Sequence, residues 1–223
     1  MTMGASTDER PLVILGAGGH AKVLLSLIQA VGFQVLGICD PALAAQRASQ
    51  WRGNEVLGGD EALAKLDPST VWLVNGVGQQ VGASLRRRIF EELKENGFRF
   101  RSLVHPAAWV DSSVVLGEGA QVMAGAVIQP DSVIGVNTIV NTRVSIDHDC
   151  RLGSHVHVAP GATLCGGVRV EDRAFIASGA TVIQGMLVGE DSVVGAGAVL
   201  VRDLAARQVL LGSAVRKMLG PSE

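Results

Sequence analysis

Little in this chain of 223 residues points to an aromatic core or a strongly charged surface. Aromatic residues make up 4% of it against 28 glycines, a balance that suggests turns and small side chains in place of bulky packing. Basic and acidic residues nearly cancel, leaving a formal net charge of -2. That excludes a basic field able to attract nucleic acid or an anionic membrane surface, so an anionic ligand must be held by a local site. No stretch approaches the length of a membrane-spanning helix, and the first ten residues (MTMGASTDER) are polar, without the apolar run of a secretory signal. Cysteine is also scarce: Cys39, Cys150 and Cys165 are an odd number that argues against a disulfide framework. The expectation is a soluble protein of a reducing cytoplasm, with neither nucleic-acid nor membrane partners.

What the chain has in abundance is a period of six. Stepping by six from Val104 gives seventeen positions, ending at Leu200, and every one is Val, Ile or Leu. Four residues after these positions the side chain is usually small or β-branched, as at Ala120, Ala126, Ser132, Thr138, Ala162 and Ala180. Six fits neither an amphipathic helix nor a single alternating strand, but it is a β-helix repeat in which each hexad forms one side of a triangular coil of about 18 residues. The aliphatic residues then stack inward, and the small residues are expected to let the backbone turn at the corners. Cys150 falls at the small inward phase, so packing is its expected role, and Cys165 is read as inert.

The first hundred residues follow a different rhythm. Residues 11–15 (PLVIL), 34–39 (QVLGIC) and 70–75 (TVWLVN) read as buried strands, while Lys22 to about Val31 and 81–96 read as helices. Strands alternating with helices imply a small parallel sheet. The first strand runs into Gly16-Ala17-Gly18-Gly19-His20-Ala21, a glycine-rich turn at a helix start, where close backbone approach and unpaired N–H groups suit a phosphate. Gly16-x-Gly18-x-x-Ala21 followed by Asp40 also matches a dinucleotide fingerprint. Only about ninety residues precede the repeat, which accommodates one mononucleotide unit and not two, so a nucleotide held through one pyrophosphate is favoured over NAD. A ligand-free turn at the glycines, a capping role for Asp40 and a solvent-facing His20 are the plainer alternatives.

The [LIV]-G hexads Leu116-Gly117, Ile134-Gly135, Leu152-Gly153, Val188-Gly189 and Val194-Gly195 resemble those of the hexapeptide-repeat acyltransferases. Adding Leu15-Gly16-Ala17-Gly18-Gly19-His20-Ala21, Ile38-Cys39-Asp40-Pro41 and Ser145-Ile146-Asp147-His148-Asp149-Cys150, nearly the whole chain is similar to bacterial nucleotide-sugar acetyltransferases of the PglD/NeuD kind. The resemblance implies a Rossmann-like βαβαβ domain over residues 1–103 that binds the nucleotide sugar. It implies a left-handed parallel β-helix over 104–223, with a C-terminal tail, that binds acetyl-coenzyme A. It also implies a homotrimer with active sites between subunits. Its reaction is acetyl transfer from acetyl-coenzyme A to the amino group of a UDP- or GDP-linked 4-amino-4,6-dideoxy sugar. O-acetylation of a sialic acid, or non-catalytic binding of a nucleotide sugar, are the alternatives.

Position by position, the resemblance makes Gly18, Gly19 and His20 the sugar-nucleotide loop, puts Asp40 and Pro41 against the nucleotide, and brings the Gly78 backbone to the substrate. His148 becomes the catalytic base and Asp149 the carboxylate that raises its basicity. His157, Ser178 and Gly197 line the acetyl-coenzyme A site. Gly212-Ser213-Ala214-Val215-Arg216-Lys217-Met218 resembles the family's closing segment without its proline.

The chemistry is consistent with these assignments. Attack of an amine on a thioester needs a base near neutrality, which histidine provides, while the thiolate leaves with little acid assistance. Backbone N–H groups near Gly166-Gly167, one coil beyond His148, are expected oxyanion donors, which counts Gly166 among the acetyl-coenzyme A-binding residues. Neighbours in an extended chain point to opposite faces, so Asp149 assists His148 only if a corner bends the chain there. On its own, His148 is equally a surface histidine on a coil edge. His155 and His157 offer a metal pair as a rival, but their intervals of seven and nine from His148 do not suit a three-histidine site, and no metal is expected.

Overall fold

A computed structural model describes residues 10–212. The expected contribution of the terminal segment through Met218 therefore lies outside the described residues, apart from Gly212.

The N-terminal strand β1 (Leu12–Leu15) is buried at all four positions. A strand that is apolar on both faces needs cover on both sides, and it receives it in the centre of a mostly parallel sheet. The other strands are β2 (Val35–Cys39), β3 (Gln50–Trp51), β4 (Asn54–Gly58) and β5 (Trp72–Asn75), in the order β3-β4-β2-β1-β5. Between them run α1 (Gly19–Val31), α2 (Pro41–Ala45), α3 (Asp60–Leu63) and α4 (Leu85–Glu95). One core layer packs α1 on the sheet through Leu24, Leu27 and Ile28, and the other packs α4 through Phe90 and Leu93. Helix α1 begins three residues before the sequence expectation because Gly18 itself serves as its extended N-cap. Gly32, left-handed at φ 78, closes it.

From Leu103–Val104 onward the chain winds as a left-handed parallel β-helix of two-residue strands. Its three faces hold seven, six and five strands. Face 1 runs from Leu103–Val104 through Gln121–Val122, Ile139–Val140, His157–Val158, Phe175–Ile176 and Val193–Val194 to Val209–Leu210. Face 2 contains Ser145–Ile146 and Thr163–Leu164, and face 3 contains Arg151–Leu152. Each periodic aliphatic is the second residue of its strand and points inward, and partners one coil apart, such as Ile128, Ile146 and Leu164, are fully buried. Ile146→Ala is expected to lower unfolding free energy by about 2–5 kcal/mol in chemical denaturation, because a closed coil cannot collapse around the cavity.

The corners are built differently from the sequence expectation. The small residues do not turn the chain. They point inward and are buried, as Ala120, Ala126, Ser132, Ala162 and Cys150 are at 0% exposure. The turn falls on the residue before them, which is left-handed at Asp131, Asn137, Asp149 and His155, and at Gly161 and Gly179. That requirement explains why glycine, asparagine and aspartate recur there. The glycines that follow the inward aliphatics serve stacking instead: a Cβ on Gly135 would sit 2.3 Å from the Gly153 carbonyl oxygen of the next coil.

The two halves are tied together. Leu103 and Met123 of the β-helix complete the α1 core layer, and Val136 packs on the α4 layer. Lys94 of α4 pairs with Glu118, whose carboxylate also accepts from the Phe100 N–H.

Candidate active site

His148 lies at the corner between faces 2 and 3, in the turn linking Ser145–Ile146 to Arg151–Leu152. Asp149 is left-handed at φ 59, which is the bend that adjacent side chains need in order to meet. His148 Nδ1 and Asp149 Oδ2 are 2.7 Å apart, and the Asp147 carboxylate accepts the His148 backbone N–H at 2.8 Å. The hydrogen bond to Asp149, and next the charge of Asp147, raise the His148 pKa above the usual histidine value. With Nδ1–H held by Asp149, the proton-accepting nitrogen is Nε2. The side chain is 61% exposed, so this basic nitrogen is open to a partner from outside the chain.

Gly166, one coil further on, forms the seat of the ring: a Cβ there would lie 2.7 Å from His148 Nε2 and 2.8 Å from Cε1. Of the two expected oxyanion donors, the Gly167 N–H is already bonded to the His148 carbonyl at 2.9 Å. The Gly166 N–H has no backbone acceptor among the described residues. Cys150 is sealed, and burial pushes its thiol up to about 11, which suits packing and not nucleophilic attack.

A second group forms at the N-terminal turn. The cap of α1 has no side-chain hydrogen bond and its first turn no acidic residue, so the leading N–H groups are available to an anion. A Cβ on Gly18 or Gly19 would meet nothing within 4 Å, leaving open space over the turn. Gly78 abuts this loop, since a Cβ there would be 3.3 Å from His20 Cβ. Asp40 holds the arrangement from beneath: Oδ2 accepts the Ala17 N–H at 2.8 Å, and Oδ1 caps α2 through the Leu43 N–H at 2.9 Å. Pro41 occupies the first turn of α2, where its missing N–H costs nothing.

His157 projects outward from face 1, yet it is only 6% exposed. Its ring stacks on Phe175 at 4.8 Å, and its Nδ1 is buried without a hydrogen-bond partner among the described residues. Burial, with His20 and Arg86 nearby, lowers its pKa to about 3. Ser178 and Gly197 are exposed at the corner that follows face 1. Among the described residues no group of three His, Cys, Asp or Glu side chains is arranged to hold a metal ion.

The site residues thus fall into two sets within one chain. His148, Asp149 and Gly166 share the corner between faces 2 and 3. His20, Gly78 and His157 gather on face 1, which lies across the prism from that corner. Sequence reasoning missed Gln121, Asn75 and Arg86, which are buried polar residues behind His20. Nothing periodic distinguishes them, because their burial depends on docking of the two halves.

A β-helix carrying an exposed His–Asp pair at a corner, joined to a one-unit nucleotide-type α/β domain, defines a two-domain hexapeptide-repeat acyltransferase. Residues 11–93 match the PglD N-terminal domain family, and residues 167–202 match the hexapeptide repeat of succinyl-transferase. A solved histidine-to-asparagine variant of perosamine N-acetyltransferase from Caulobacter crescentus, in complex with CoA and GDP-perosamine, is 41% identical with a TM-score of 0.83. The match covers 91% of this chain and 93% of that one. The acetyltransferase domain of PglB from Neisseria gonorrhoeae, in complex with acetyl coenzyme A, is 36% identical with a TM-score of 0.82, covering 91% and 96%. UDP-N-acetylbacillosamine N-acetyltransferase of Bacillus subtilis (strain 168) is 36% identical over 123 residues, or 51% of each chain. The match spans about half the length of that curated relative. The chain belongs to the PglD-like nucleotide-sugar acetyltransferases of the hexapeptide-repeat family. No helix among the described residues is long and apolar enough to cross a membrane.

Proposed function

We propose that this protein is an acetyl-coenzyme A-dependent N-acetyltransferase acting on the amino group of a nucleotide-linked 4-amino-4,6-dideoxy sugar. The observation that carries the reading is the His148–Asp149 pair, with Nδ1 held at 2.7 Å and Nε2 free at an exposed corner. The sugar amine attacks the thioester carbonyl carbon while His148 Nε2 takes the amine proton. The Gly166 N–H donates to the tetrahedral oxyanion. Collapse of the intermediate releases coenzyme A as its thiolate, which needs little assistance at a thiol pKa of about 8.5. Asp149 favours the imidazolium that forms.

The two substrates take separate places on the chain. The nucleotide diphosphate lies over the Gly18-Gly19 turn at the start of α1, with Gly78 alongside and the Asp40-Pro41 corner below. Acetyl-coenzyme A runs along the corner marked by Ser178 and Gly197, beside His157. His148 then serves a site on a neighbouring subunit, which requires an oligomer, and the expected assembly is a homotrimer. The outward residues of face 2, Trp109, Val127, Ser145, Thr163, Thr181 and Val199, carry no charge, as a subunit contact would require.

Two measurements test this reading. Thiol release from acetyl-coenzyme A should depend on a UDP- or GDP-linked 4-amino sugar, and turnover only with hydroxyl acceptors would reject N-acetylation. Analytical ultracentrifugation should give a trimer, whereas a fully active monomer would rule out a shared site.

A further inference from the structure

Behind His20 lies a buried polar seam that joins the two halves of the protein. His20 Nε2 is 2.8 Å from Gln121 Oε1, and Gln121 is contributed by the β-helix. The Gln121 amide Nε2 donates to the Asn75 carbonyl at 2.9 Å, and Arg86 Nη1 donates to the same oxygen at 2.7 Å and to the Val77 carbonyl at 2.8 Å. Gln121, Asn75 and Arg86 are 1–2% exposed.

This geometry determines where the protons are. A backbone carbonyl only accepts, so the nitrogen of the Gln121 amide must face Asn75 and its oxygen must face His20. That oxygen has no hydrogen to give, so His20 Nε2 carries the proton. A second proton on the ring is opposed first by burial and then by the Arg86 guanidinium, which lower the His20 pKa to about 4. The ring is neutral with an unprotonated Nδ1, which makes no hydrogen bond to a described residue. His20 itself is half-buried, beside the open space over Gly18 and Gly19.

We infer that Gln121 is a positioning residue that locks His20 in its Nε2–H tautomer, so that Nδ1 offers a hydrogen-bond acceptor to an O–H or N–H group of the bound nucleotide sugar. The ligand class rests on the function proposed above, but the tautomer does not. A histidine in a glycine turn at a helix start would ordinarily be taken as a cationic phosphate ligand. A bare Nδ1 lone pair repels phosphate oxygens, so His20 reads a hydroxyl or amide of the sugar or ribose and leaves the diphosphate to the backbone. The acceptor in one domain is thereby set by a side chain from the other.

The test begins with ligand-free protein labelled with ¹⁵N in its histidine rings, the His20 signals being assigned by their loss in His20→Gln. At pH 7, Nε2 should show a protonated and Nδ1 an unprotonated shift. An Nδ1–H tautomer or an imidazolium overturns the proposal, whatever the activity of the protein. In Gln121→Glu, the carboxylate should draw a second proton onto His20 and convert the acceptor to a donor. KM for the nucleotide sugar should then rise by at least about tenfold, a lost hydrogen bond plus a repulsive contact. KM for acetyl-coenzyme A and kcat should stay within about twofold, as for a residue that positions only the first substrate. An unchanged nucleotide-sugar KM in a protein whose His20 is doubly protonated would reject the acceptor role. If Gln121→Glu does not fold, the wild-type spectrum still decides the tautomer. Absence of acetyl transfer to any amino sugar, with the tautomer intact, would count against the proposed function and not against the lock.

Discussion

Replacing His148 by alanine is expected to lower kcat/KM by about 10²–10⁴-fold, the range for a lost general base, while leaving thermal stability unchanged. The second half of the expectation follows from its 61% exposure: little apolar surface is lost. The pH profile separates a base from a mere contact. His148 must be neutral to accept a proton, and its pKa is raised by Asp149 and then Asp147. A raised value means that the imidazolium persists to higher pH, so activity should climb only above the ordinary histidine value of about 6.5. Asp149→Asn removes the largest cause. The acid limb should move to lower pH and the plateau should fall, because the base is weaker and an asparagine amide can donate to Nδ1, leaving the proton on Nε2. A limb that stays in place in Asp149→Asn would show that the pair does not control the base.

The β-helix was legible because its core is one-dimensional. Each hexad contributes one inward aliphatic, and all seventeen from Val104 to Leu200 are strand residues that face the interior. The end of the repeat was harder to see. Leu204 bridges Val188 and Leu210 pairs with Val194, sixteen residues apart instead of eighteen, so a two-residue shortening hides the last strands from a fixed period. The corners were misassigned because smallness at a position can mean either a turn or a tight interior, and only backbone angles distinguish Asp149 from Cys150. In the N-terminal half, β1, β2 and β5 were visible as apolar runs, but α2, α3 and the β3–β4 hairpin are too short to show a period. At the site, His148 and Asp149 stand together in sequence and their contact is local. The relation of His20 to Gln121 spans 101 residues and depends on docking, which no motif records.

Gly166→Ala should impair catalysis nearly as much as loss of a reacting group, although it changes no reacting atom. A Cβ would intrude to 2.7 Å from the His148 nitrogen that takes the proton. The backbone at Gly166 is not left-handed, so alanine introduces no strain there and the coil keeps its path. The imidazole, at the free end of an exposed side chain, yields instead. A displacement of about 1 Å in a positioned group costs on the order of 10²-fold in rate. The neighbouring glycine provides the opposite case. Gly167 is left-handed at φ 68 with nothing within 4 Å of its Cβ position, so Gly167→Ala strains the backbone by about 1 kcal/mol while leaving the imidazole seated. The two variants should therefore cross when kcat and Tm are measured together: Gly166→Ala loses turnover and keeps its Tm, and Gly167→Ala loses Tm and keeps most of its turnover. Full turnover in Gly166→Ala would mean that the ring works equally well in another pose, and the seat on Gly166 would have no part in presenting Nε2 to the amine.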